Sequence, residues 1–218
     1  ILIMNPFNQM KRIISEMPGH FKIGEKIKIR NKPKKSRNIK NIVICGMGGS
    51  ALGGLFLKSI FNELPVLIHR DYGLPILSDE ELKSRLIILN SYSGNTEEVL
   101  NAFEKARGKK LSIAIVSTGG NLLESAKEHL VPYVQVPESN LQPRTALGYQ
   151  IKALLKIIGE ADDLNKTSEL SGSLNPLDYE NEGRGLAKRL KGLAPIIYSS
   201  EKNSAIAYTW KIKFNETS

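Results

Sequence analysis

The chain has 218 residues, 41% hydrophobic and 24% charged, a balance that places it among ordinary globular proteins and excludes fibrous and disordered classes. No apolar run approaches the roughly 18 residues of a membrane-spanning helix. The formal charge of +9 comes wholly from residues 1–40, where eleven Lys and Arg face only Glu16 and Glu25; the other 178 residues balance, 20 basic against 20 acidic.

The basic lead carries no aromatic platform beyond Phe7 and Phe21, so it reads as a solvated charged flank, a basic N-terminal extension over 1–40, and nucleic acid is not an expected partner. The opening Ile1-Leu2-Ile3-Met4 is too short for a secretory signal and lacks its charged start and cleavage site. A cytoplasmic location with no membrane attachment is therefore expected. Cys45 stands alone, which excludes an internal disulfide, and its place at the end of an apolar run points to a buried, inert thiol.

From Asn41 apolar runs alternate with helical patterns, as in successive βαβ units of a parallel sheet. The first strand is predicted near 42–45, and the glycine-rich Cys45-Gly46-Met47-Gly48-Gly49-Ser50-Ala51 follows it into a helix near 50–62. Glycines there allow close backbone approach, and the helix start offers unpaired amides to an anion. The same residues fit G-x-G-x-x-A, the dinucleotide fingerprint, and Asp71, just after the second strand near 65–69, lies where a ribose-binding acid would sit.

A third strand near 86–90 leads into Ser91-Tyr92-Ser93-Gly94-Asn95-Thr96, and a helix near 96–107 begins with Asn95 or Thr96 as its cap and Glu97 and Glu98 in its first turn. Hydroxyl and amide donors concentrated at a second helix start suit a compact phosphate dianion better than a nicotinamide dinucleotide. A fourth strand near 111–116 is followed by Ser117-Thr118-Gly119-Gly120, read either as pocket lining or as a plain turn, and then by a helix near 121–129. The fifth strand, near 131–136, leads through a polar loop to a helix near 144–158. Arg144 opens that helix, a cation at the positive end of a dipole, which calls for compensation by a bound phosphate, a developing oxyanion or a surface ion pair.

Residues 41–158 thus read as a doubly wound α/β unit with a five-stranded parallel sheet. Residues 159–192 read as a linker with surface helices. Ala194-Pro195-Ile196-Ile197-Tyr198 then resembles a new first strand and Ser204 to Phe214 a helix, so that 193–218 is the start of an incomplete second α/β unit. None of His20, His69 and His129 has partners at metal-ligand spacing, and neither a metal nor a cofactor is expected.

The strings GMGGSALGG at 46–54, SYSGNTEE at 91–98, QPRTALGY at 142–149 and NETS at 215–218 resemble the bifunctional phosphoglucose/phosphomannose isomerase family, built from sugar isomerase (SIS) domains. The resemblance implies a flavodoxin-like three-layer sandwich. It implies that Ser50, Ser91, Ser93 and Thr96, with the backbone amides of Gly48 and Gly49, hold the phosphate of a hexose 6-phosphate. Glu216 is implied as the base that moves a proton between C1 and C2, and Arg144 as the cation that stabilises the enediolate. A homodimer is implied for the full-length protein.

The family also places a ring-opening histidine and a lysine downstream of its glutamate, whereas this sequence stops two residues after Glu216; the expectation is a truncated member. A different class of function, a non-catalytic SIS module that senses a sugar phosphate, remains as the alternative. Such regulators carry a helix-turn-helix ahead of the domain, and residues 1–40 have too little apolar periodicity for one.

Overall fold

A computed structural model describes residues 5–25, 27–31, 41–61, 65–139 and 141–217. In chain order, α1 (Pro6–Glu16) starts with Pro6 in its first turn and Asn5 accepting from the Phe7 amide, and a 3₁₀ helix (Met17–Glu25) and the short strand β1 (Ile29–Arg30) follow. Next come β2 (Ile42–Cys45), α2 (Leu52–Ile60), β3 (Val66–His69), α3 (Asp79–Lys83), β4 (Leu86–Asn90) and α4 (Glu97–Gly108). The wound unit closes with β5 (Ser112–Ser117), α5 (Gly120–Glu128), β6 (Tyr133–Gln135) and α6 (Leu147–Ile158). Beyond it lie α7 (Ala161–Ser173), α8 (Glu180–Leu190) and α9 (Ser204–Thr217).

The sheet has six strands in the order β1-β6-β5-β4-β2-β3. From β6 to β3 every pairing is parallel, as the alternating pattern predicts, while β1 is antiparallel to β6, with Ile29 opposite Val134 and Arg30 opposite Tyr133. The expectation of a five-stranded all-parallel sheet is corrected to a mixed sheet of six. Ile27-Lys28-Ile29-Arg30 alternates apolar and polar as an edge strand does, and by pairing with β6 it covers backbone groups that would otherwise stand open at the sheet's rim.

Successive residues of the central strands feed two apolar layers. Ile42, Ile44, Ile88 and Val116 pack with Leu57 of α2 and Ile151, Leu154 and Leu155 of α6. Val43, Cys45, Ile87, Leu89, Ile113 and Ile115 pack with Val99, Ala102 and Phe103 of α4 and Leu122 of α5. This two-sided burial is why the strands read as continuous apolar runs. The reading of the N-terminal residues as a solvated flank fails at Ile23 and Ile27, which are buried in the first layer, and at His20, stacked on Tyr149 with ring centroids 4.1 Å apart. The lysine-rich stretch 32–40 lies outside the described residues.

Residues 159–192 form α7, a 3₁₀ turn (Pro176–Tyr179) and α8. The strand expected at 194–198 does not form: residues 191–200 are all exposed and, among the described residues, pair with no strand of the sheet. Among the described residues no helix is long and apolar enough to cross a membrane.

Candidate functional site

The loops after β2, β4 and β5 emerge at the carboxyl edge of the parallel strands, the position where wound sheets bind ligands. The glycine loop turns on Gly48, at φ +48°, which glycine adopts without the clash a Cβ brings. Gly49 lies flat against the turn that carries Arg144: a Cβ there would come within 2.5 Å of the Arg144 amide nitrogen and 2.8 Å of the Pro143 carbonyl carbon.

Ser50 is 5% exposed, and its Oγ accepts the Tyr92 amide at 3.1 Å, which leaves its own proton to be donated. Asn90, at the end of β4, fixes the same residue by donating from Nδ2 to the Ser50 carbonyl at 2.6 Å. Ser91 Oγ accepts the Gly94 amide at 3.1 Å and lies 2.8 Å from Thr96 Oγ1, so the two hydroxyls form a relay with one proton left over. Thr96 stands at the N-cap position of α4, as expected, but makes no side-chain cap bond. Its hydroxyl is turned to Ser91. Ser93 is exposed and, among the described residues, its hydroxyl accepts only the local Asn95 amide, at 3.3 Å, so direct contacts join Ser50, the Ser91 loop and Thr96, and Ser93 stands apart from them.

The third loop braces the second. The Thr118 amide and hydroxyl donate to the Tyr92 carbonyl at 3.0 and 2.6 Å, and Ser117 Oγ donates to the Gly119 carbonyl at 2.8 Å. Asp71, the acid a dinucleotide reading requires, accepts the Tyr72 amide of its own turn at 2.7 Å.

Arg144 does not open a long helix. It lies in a 3₁₀ turn (Pro143–Thr145) that leads directly into the N-terminus of α6, and the compensation its position calls for comes from an ion pair with Glu216. Gln150 Nε2 holds the turn at the Pro143 carbonyl, 2.8 Å away. The guanidinium, with its side chain 9% exposed, donates from Nη1 to Glu216 Oε2 at 2.8 Å and from Nη2 to the Glu216 carbonyl at 2.7 Å. Glu216 Oε1 makes no hydrogen bond to the described residues and lies on the side of Gly48, 3.8 Å from where a Cβ on that glycine would sit. Arg144 Nε is buried and makes no hydrogen bond to the described residues.

Glu216 reaches Arg144 because α9 docks along a stripe at helical spacing, with Ala205 and Ile212 buried and Tyr208 partly buried. The Arg70 guanidinium, just past β3, sits 4.6 Å from the centre of the Tyr208 ring and adds a cation–π contact to that docking. Lys213, one turn before Glu216, is half-buried, and burial lowers the pKa of its ammonium, with the positive charge of Arg144 acting in the same direction. Neither Arg70 nor Lys213 carries a motif that would single it out in the sequence. Among the described residues no group of three or more His, Cys, Asp or Glu is placed to hold a metal ion.

This wound sheet, with its paired loops at the carboxyl edge, is that of an SIS-domain protein. The C-terminal domain of glucosamine-fructose-6-phosphate aminotransferase from Francisella tularensis shares the fold, with a TM-score of 0.61 at 15% identity over 95% of this chain and 66% of that one. No family model matches the chain. It is 37% identical over 186 residues to a bifunctional phosphoglucose/phosphomannose isomerase of Aquifex aeolicus, covering 82% of this chain and 56% of that protein. To the protein of the same name from Caldicellulosiruptor bescii it is 34% identical over 229 residues, covering 97% of this chain and 66% of the relative. The chain belongs to the bifunctional phosphoglucose/phosphomannose isomerase family of SIS-domain phosphosugar isomerases, and it spans between about half and two thirds of the length of these relatives.

Proposed function

We propose that this chain supplies the phosphate-binding loops and the proton-transfer pair of an aldose–ketose isomerase that interconverts glucose 6-phosphate or mannose 6-phosphate with fructose 6-phosphate. The observation that carries the reading is the Arg144–Glu216 contact, which holds one carboxylate oxygen and leaves the other, unpartnered among the described residues, beside the glycine loop. In this reading the Gly48 and Gly49 amides and the hydroxyls of Ser50, Ser91, Ser93 and Thr96 take the phosphate. Anchoring there places the reacting carbons at a fixed reach from the loops.

Glu216 Oε1 then removes the proton from C2 of the open-chain aldose. The electron pair of that C–H bond forms the C1–C2 double bond, and the C1 carbonyl oxygen becomes the enediolate oxygen, stabilised by the cation of Arg144. Transfer of the C2 hydroxyl proton to O1 and return of the carried proton to C1 give the ketose. A positioned carboxylate base contributes about 10² to 10⁴ in rate, and a preorganised donor at the developing oxyanion about 10² to 10³. The curated relatives' names support this substrate class.

The natural full-length protein, incubated with fructose 6-phosphate in D₂O, is expected to place deuterium at C1 of the ketose and C2 of the aldose. Binding of the sugar phosphate without any exchange would favour a sensor and remove the proposal.

A further inference from the structure

Tyr92 occupies a position that the phosphate-loop reading does not use. Its amide donates to Ser50 Oγ at 3.1 Å, and its carbonyl receives the Thr118 amide and hydroxyl, so its backbone ties all three loops together. Its ring is buried in the first apolar layer, 8% exposed. Its hydroxyl lies 2.8 Å from Ser139 Oγ.

Ser139 lies in the middle of the segment that runs from β6 to the Arg144 turn. That segment is anchored at its start by the Val136 amide on the Ser117 carbonyl, 2.9 Å, and at its end by Gln150 on the Pro143 carbonyl, 2.8 Å. Between these anchors, among the described residues, the Tyr92 hydroxyl supplies the hydrogen bond that ties the segment to the body of the domain.

We infer that Tyr92 is a positioning residue for Arg144, its hydroxyl latching Ser139 so that the segment bearing the guanidinium is held in register with the phosphate loops. The inference rests on the isomerase reading above. A guanidinium must meet a developing oxyanion at hydrogen-bond range, and a displacement of about 1 Å costs as much as 10²-fold in rate. Burial raises the phenol's pKa, so the hydroxyl stays protonated and able to donate across the working pH range.

The test uses Tyr92→Phe, Ser139→Ala and the double variant of the natural full-length protein. Phenylalanine keeps the ring in the apolar layer and keeps the backbone bond to Ser50, so folding and phosphate affinity are preserved. With Tyr92→Phe, kcat is expected to fall about tenfold, while inhibition by inorganic phosphate stays unchanged. Ser139→Ala should match it, and the double variant should be no worse than either single change, as for two ends of one contact.

Wild-type kcat in Tyr92→Phe, or losses that multiply in the double variant, would overturn the latch. Should the wild-type protein turn over no hexose phosphate, the functional reading fails by itself, and amide exchange over residues 136–145 then judges the latch. Faster exchange in Tyr92→Phe upholds it; unchanged exchange overturns it.

Discussion

Arg144 and Glu216, 72 residues apart in sequence, meet at two points, one on the carboxylate and one on the same residue's backbone carbonyl. The geometry assigns the two carboxylate oxygens different fates. Oε2 is held by the guanidinium, and Oε1 faces the glycine loop. One residue pair can therefore present a fixed cation and an available base at the same place.

Glu216→Gln keeps an amide oxygen for Arg144 to grip but removes the basic oxygen, so kcat should drop by about 10² to 10⁴, with hexose-phosphate affinity retained. Arg144→Lys supplies a point charge in place of a two-point fork and cannot reach both acceptors. Its kcat should fall by about 10² to 10³. Steady-state kinetics and a phosphate-competition assay on each variant separate the two losses; a Glu216→Gln protein with full kcat removes that residue from the proton path.

Gly49→Ala adds one methyl where the nearest atoms are the backbone of Pro143 and Arg144. Neither loop can yield by a side-chain rotation, so the glycine loop and the Arg144 turn must separate. Overpacking of this kind costs about 1–3 kcal/mol. A lowered urea midpoint together with weakened phosphate inhibition is expected, and an alanine variant with unchanged stability would show that the two loops are not in contact.

His20 is buried against Tyr149, Nδ1 has no partner among the described residues, and desolvation lowers its pKa from the ordinary value near 6.5, against a weaker opposing pull from Glu16. The unfolded chain therefore binds a proton at His20 before the folded one does, so stability falls as pH drops through about 6.5. His20→Phe retains the stacking and removes the titration. Its denaturation midpoint should vary less between pH 7.5 and 5.5 than that of the wild type; identical slopes would mean that the imidazole titrates alike in both states.

Burial pushes the Cys45 thiol up to about 12, so almost no thiolate exists near neutral pH. A disulfide-exchange reagent at pH 8 should leave the native protein unmodified and label it once in denaturant. Labelling at native rates comparable to the unfolded ones would contradict the packing of β2 against α4 and α5.

The central strands and the two donor-rich loops were readable because their signals are local. A run such as Ile42-Val43-Ile44 needs cover on both faces, and glycines followed by hydroxyl residues at a helix start mark close backbone approach. β1 was missed because the alternation from Ile27 to Arg30 is only four residues long and does not stand out in a lysine-rich segment. The strand expected at 194–198 had the right composition but, among the described residues, pairs with no strand.

The sequence by itself determined which segments become strands and helices and which residue types stand at the carboxyl edge, since periodicity, turn chemistry and caps act within a few residues. It also supplied Arg144 and Glu216 as candidates through resemblance. Only the tertiary structure decided that Glu216 is the group that compensates Arg144 at the start of α6, that Thr96 turns its hydroxyl to Ser91 rather than capping its own helix, and that Tyr92 spans the loops to Ser139. Those choices are made between groups tens of residues apart or between two competing partners, and packing, which no local pattern encodes, settles them.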